Sequence, residues 1–232
     1  MDSSMIIVIR DLTAGYRSAP VLKKLNLAVK QGESVGIAGP NGAGKTTLLK
    51  VILGMIPKTQ GEIRILGRVL KSMQDRAWVR RRIGYVPQQT IPGKLPVSVF
   101  DAVLMGRWGK SFGFARRPDS GDREAVKAKL SQVGLGHKAG DDCRRLSGGE
   151  QQKVAIARAL VREAGILLLD EPATYLDRES RDEITALIQK IRAEQGLTMI
   201  VISHDPVHLQ AMTDRIYSLD NGNLRTDTND SD

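Results

Sequence analysis

Residues Gly39-Pro40-Asn41-Gly42-Ala43-Gly44-Lys45-Thr46 follow the spacing G-x-x-x-x-G-K-[ST]. Glycines so placed let the backbone curl until several N–H groups point into one hollow, which suits an anion. A helix opening near Lys45 aims its positive end at the same point. Lys45 then reaches the outer phosphates of a bound nucleotide as a point charge, and the Thr46 hydroxyl can ligate magnesium. A plain glycine-rich connection is the bland alternative. The setting speaks against it: residues 34–38 form a short apolar run like a buried strand, and residues 46–53 have helical spacing.

Two further groups could do chemistry. The apolar run Ile166-Leu167-Leu168-Leu169 ends in Asp170-Glu171. Paired carboxylates at the end of a buried strand are costly unless a positive charge is near, and magnesium supplies one. Asp170 is expected to hold that ion through water, and Glu171 to orient and deprotonate an attacking water. The other group is Leu146-Ser147-Gly148-Gly149-Glu150. Ser147 and Glu150 have the spacing of a capping box. Two glycines inside a cap weaken a helix, and they make sense where backbone must approach a ligand closely. A hydroxyl, bare amides and a helix dipole favour a phosphate there too.

The elements that must position these groups alternate. Strands are predicted at 5–10, 21–29, 34–38, 62–66, 83–86, 166–169, 198–202 and 215–219. Helices are predicted at 46–53, 97–105, 123–133, 150–161 and 182–193, and 107–118 reads as loop. Such alternation at both ends implies an α/β core with parallel strands. We expect residues 1–88 and 163–225 to form that core, 89–162 a helical insertion, and 226–232 a disordered tail.

Composition sets bounds. The 232 residues are 41% apolar and only 4% aromatic, so Ile, Leu, Val, Ala and Met must build the core. The formal charge of +9 suits a polyanion partner or an anionic membrane face as well as a solvated basic surface. The single cysteine, Cys143, allows no internal disulfide. Residues 1–10 end in charge and are not expected to be a signal peptide. No apolar run approaches the ~20 residues that span a bilayer.

Together these motifs resemble the ATP-binding cassette family, the ATPase subunits of ABC transporters, over nearly the whole chain and in the family's order. The resemblance implies a P-loop NTPase (RecA-like) core with an antiparallel β subdomain and an inserted α-helical subdomain. It implies ATP and Mg2+ as cofactors, with Gly39 to Thr46, together with Thr47, around the phosphates. Tyr16 is similar to the aromatic that stacks on adenine, and Gln88 to the glutamine that contacts the metal and senses the membrane partner. Asp177 resembles the family's D-loop aspartate and His204 the histidine that grips the γ-phosphate. Two cassettes are expected to face head to tail, with Ser147, Gly148 and Gly149 of one closing on the ATP of the other. Partners so implied are a second, identical cassette, an integral permease and a cargo-binding protein. The site implied is the cytoplasmic face of the membrane, held peripherally.

Leu104-Met105-Gly106-Arg107 and Arg116-Arg117-Pro118 look like the branch that imports zinc, manganese or iron. The stretch Pro172-Ala173-Thr174-Tyr175-Leu176-Asp177 departs from that branch. A cassette for another solute, or a soluble cassette working on nucleic acid, is the alternative. No nucleic-acid motif accompanies the basic residues.

Overall fold

Runs of valine, isoleucine and leucine without alternation are stable only where both faces of a sheet are covered. The computed structural model describes residues 4–16, 19–88, 96–113 and 115–226, and it covers these runs in that way. The strands are β1 (Met5–Tyr16), β2 (Ala19–Lys30), β3 (Ser34–Ala38), β4 (Lys58–Ile65), β5 (Arg68–Val69), β6 (Ile83–Val86), β7 (Ile166–Asp170), β8 (Thr198–Ile202), β9 (Arg215–Asp220) and β10 (Asn223–Thr226). The helices are α1 (Lys45–Ile52), α2 (Met73–Arg80), α3 (Val99–Leu104), α4 (Ser120–Gln132), α5 (Gly148–Leu160), α6 (Arg178–Gln195) and α7 (Pro206–Met212).

One sheet is antiparallel, in the order β2-β1-β4-β5. The other runs β10-β9-β3-β8-β7-β6 and is parallel except for the edge strand β10. The two-residue side-chain period splits each central strand between two cores. Ile166, Leu168, Ile200 and Ile202 join α1 and the antiparallel sheet, through Leu48, Leu49 and Ile52. Leu167, Leu169, Met199 and Val201 face the other way, onto Val103, Leu130, Ile156, Ile188 and Leu209 from α3 to α7.

Three strands, β3, β6 and β8, have the bounds predicted from sequence. β1 runs six residues beyond its expected end. A bulge intervenes, with Asp11 left-handed at φ 46° and the register shifting between Ile9 and Leu12, so the alternation breaks although the pairing continues. Four elements were not anticipated: β5, α2, α7 and β10. The last ends at Thr226, the first residue of the expected tail. Asn221-Gly222, at φ 48° and 82°, makes a tight hairpin that pairs Asn223–Thr226 with β9. The remaining tail residues, 227–232, lie outside the described residues.

The loop expected at 107–118 is tied down. A Cβ on Gly106 would stand 2.2 Å from the Arg158 carbonyl, so only glycine lets this turn lie on α5. Arg107 pairs with the buried Asp122 at 2.6 Å and donates to the Val161 carbonyl at 3.1 Å. Burial pushes the Asp122 carboxyl up. The Ser111 hydroxyl, the Asp119 amide and Arg107 outweigh it and hold the group at about 2. The Gly106-Arg107 pair thus fastens the end of α3 to the end of α5.

Candidate functional site

The parallel strands deliver their C-terminal ends to one edge, and the chemistry collects there, as expected for such sheets. β3 leads into the loop 39–44 and then α1. Gly39 has φ 155°, and a Cβ there would meet the Leu219 carbonyl at 2.2 Å. Gly44 caps α1 at φ 106° without any side-chain hydrogen bond, so the first amides of α1 remain for a ligand. Val21 and Leu22 of β2 press on Gly44, which sets the β1–β2 hairpin against the loop. Tyr16 ends β1 on that hairpin and is half exposed.

Lys45 is buried to 7% exposure. Its ammonium donates to the carbonyls of Gly39 at 2.6 Å and Pro40 at 3.1 Å, and lies 3.8 Å from Glu171 Oε1. The Thr46 hydroxyl donates to Asp170 Oδ1 at 3.1 Å, and the Tyr85 hydroxyl to Asp170 Oδ2 at 3.1 Å. Burial raises the Asp170 carboxyl above the ordinary range, against the pull of Thr46 and Tyr85, and neighbouring Glu171 adds to the rise. The same burial, with Asp170 beside it, drives the Tyr85 phenol far up. Two oxygen-bearing groups, Thr46 and Asp170, therefore converge where a hard cation could be held.

Glu171 sits in an unusual conformation. Its φ is 51°, which costs a non-glycine residue of order 1–3 kcal/mol. Its amide is fastened to the Ile202 carbonyl at 2.9 Å. Oε2 meets His204 Nδ1 at 2.7 Å and accepts from the Thr174 hydroxyl. Because Nδ1 is engaged, Nε2 is the ring atom that His204, half exposed, has left for a ligand. Lys45, Thr46, Asp170, Glu171 and His204, from three separate stretches of sequence, are thus one cluster.

The structure does not bring every expected residue into it. Gln88 follows β6, half-buried, with no hydrogen bond to Thr46 or Asp170. Ser147 caps α5 and bonds within its own box, accepting from the Glu150 amide at 3.3 Å while its amide donates to Glu150 Oε2 at 2.9 Å. Asp177 caps α6, accepting from the amide and hydroxyl of Ser180, each at 2.9 Å. These two helix starts pack together. A Cβ on Gly149 would stand 3.1 Å from Ser180 Oγ. Close packing inside the chain is therefore one reason for a glycine in that cap, beside any ligand. Ser147 and Asp177 are both exposed, and neither bonds to the phosphate loop of its own chain.

Sequence reasoning missed Tyr85 and Thr174. Tyr85 reaches Asp170 because β6 pairs in parallel with β7, Tyr85 opposite Leu168, a register no local signal announces. A broad cleft of about 870 Å3 lies elsewhere, on the antiparallel sheet between Arg10, Arg64 and Tyr217. Among the described residues, no carboxylate or histidine lines it.

Comparison with known proteins bears on family and fold. The ABC transporter family model matches residues 22–174. The chain is 42% identical over 196 residues to the manganese transport system ATP-binding protein MntB of Bacillus subtilis, covering 84% of this chain and 75% of that protein. It is 37% identical over 214 residues to the zinc transport system ATP-binding protein TroB of Treponema pallidum, covering 92% and 77%. Among solved structures, a dimeric, post-hydrolysis ATP-binding cassette bound to ADP and Pi superimposes with a TM-score of 0.79 at 29% identity, over 95% of this chain and 98% of that one.

Proposed function

This chain belongs to the ABC transporter family, and from that premise we propose which residues bind and hydrolyse ATP and what the machine carries. It is the ATP-binding and hydrolysing subunit of a transport system, with the P-loop fold of such cassettes. The observation that carries the residue assignment is the junction at Glu171, whose carboxylate faces Lys45 on one side and His204 on the other, beside the Thr46–Asp170 contact.

Backbone N–H groups of residues 41–47 cradle the phosphates, with Gly39 and Pro40 shaping the loop, and Lys45 exchanges its loop carbonyls and Glu171 for the outer phosphate oxygens. Tyr16 stacks on the adenine from the hairpin beside the loop. His204 offers Nε2 to the γ-phosphate. Glu171, held by its backbone, orients the attacking water and takes its proton. Thr46, Asp170 and Gln88 would hold Mg2+. Among the described residues no group of three or more His, Cys, Asp or Glu side chains could enclose a metal. A hydroxyl and one carboxylate suit an ion that keeps waters and takes phosphate oxygens for the rest. Bound there, magnesium neutralises charge on the β- and γ-phosphates.

Ser147, Gly148, Gly149 and Asp177 serve the opposite copy. They are an anion-suited helix start and its neighbour, outside the cluster of their own chain, so one ATP joins two cassettes. Ser147→Arg should leave binding to the monomer intact and abolish ATP-dependent dimerisation, read by gel filtration with Mg-ATP. A dimer that still forms would remove Ser147 from the interface.

We assign residues 89–162 as the helical subdomain and residues 1–88 with 163–225 as the nucleotide-binding core. No described helix is long and apolar enough to cross a membrane. We propose that the cassette sits at the cytoplasmic face, held by an integral permease with a cargo-binding protein on the far side, a reading supported by the transport systems to which its relatives belong. The cargo we propose is a transition metal, free or chelated, supported by the manganese and zinc systems named above. With its native permease in vesicles, the chain should drive ATP-dependent uptake of manganese or zinc. Uptake of an organic solute with no response to either metal would overturn the cargo.

A further inference from the structure

The stretch 172–177, which departs from the metal-uptake pattern, carries a side chain that the mechanism has not yet used. The geometry points to Thr174 as a positioning residue for the hydrolytic carboxylate, an inference that rests on Glu171 acting as proposed above.

Glu171 has a fixed backbone but a flexible side chain, and three groups restrain its carboxylate: Lys45, His204 and Thr174. Two of these are shared with the nucleotide: Lys45 leaves Glu171 for the outer phosphates, and the ring of His204, which holds Glu171 through Nδ1, is also engaged by the γ-phosphate through Nε2. Thr174 has no such competing duty. It lies three residues on, in the turn begun by Pro172, and the turn is closed by its own amide on the Glu171 carbonyl at 3.4 Å. That turn returns the hydroxyl to Oε2 whether or not nucleotide is present. Thr174 is then the fixed donor that keeps one carboxylate oxygen oriented while the other faces water. Water attack depends steeply on such orientation.

The hydroxyl can be removed without disturbing the turn, because the closing bond is backbone. In the full chain, Thr174→Ala and the near-isosteric Thr174→Val should both lower kcat about tenfold, with KM for ATP and nucleotide affinity unchanged within about twofold. Thr174→Ser, which restores only the hydroxyl, should recover most of the rate. ATP-dependent dimerisation should be unaffected in all three. Unchanged kcat in Thr174→Ala, a loss that serine does not rescue, or a KM that rises as kcat falls would each overturn the proposal. Glu171→Gln is run alongside. If that variant turns over normally, the base itself is misassigned. If it is dead while Thr174→Ala is fully active, only the role of Thr174 falls.

Discussion

Glu171→Gln should lose steady-state ATP hydrolysis by about 10²–10⁴-fold while keeping nucleotide binding, the range that removal of a positioned base produces. The substitution is close to isosteric. The remaining carbonyl oxygen can still accept from the Thr174 hydroxyl, and the hydrogen bond that the residue's backbone N–H donates to the Ile202 carbonyl is untouched. What disappears is proton-accepting capacity and the negative charge 3.8 Å from the Lys45 ammonium. Removing that charge also removes a competitor of the phosphates for Lys45, so ATP should bind at least as well as before. With binding intact and hydrolysis blocked, Mg-ATP should hold two copies together long enough to elute as a dimer. Phosphate release and gel filtration on one preparation check both halves. Hydrolysis at the normal rate would exclude Glu171 as the base.

Much of this site was legible because its residues sit in local patterns with a physical cause. Gly39 and Gly44 are glycines where a Cβ would strike Leu219 or crowd Val21 and Leu22. Asp170 and Glu171 stand out because carboxylates rarely close a fully apolar run. The strands that position them were the clearest elements, since β3 and β8 are buried along nearly their whole length and carry no competing signal. What escaped notice fell into two kinds. The signals for α2, α7 and β10 were present but short: the Ser72–Asp75 capping box, Asp205 before Pro206, and the Asn221-Gly222 turn. The contacts of Tyr85 and Thr174 had no local signal at all. The first depends on which strands pair and in what register. The second depends on a left-handed backbone at Glu171 that its residue type does not favour. Tertiary structure creates both, and both converge on the acidic pair.

Lys45→Ala should weaken ATP binding itself, by about 10–100-fold, the loss expected for charge-assisted hydrogen bonds to a phosphate. The side chain is buried, desolvated and directed at the loop. The phosphates therefore gain a preorganised charge, and alanine forfeits it. Two further consequences separate this role from simple loss of structure. First, the defect should grow with phosphate number, largest for ATP and smallest for AMP, because Tyr16 and the adenine are unaffected. Second, Lys45→Arg should not restore affinity, although it keeps the charge. A planar guanidinium cannot occupy the narrow space between the Gly39 and Pro40 carbonyls and Glu171 that a compact ammonium fills. Calorimetric titration of ATP, ADP and AMP into the wild type and both variants, with thermal unfolding as a check on the fold, reads these outcomes. Normal ATP affinity in a folded alanine variant would remove Lys45 from the phosphate site, and with it the electrostatic reason for the loop.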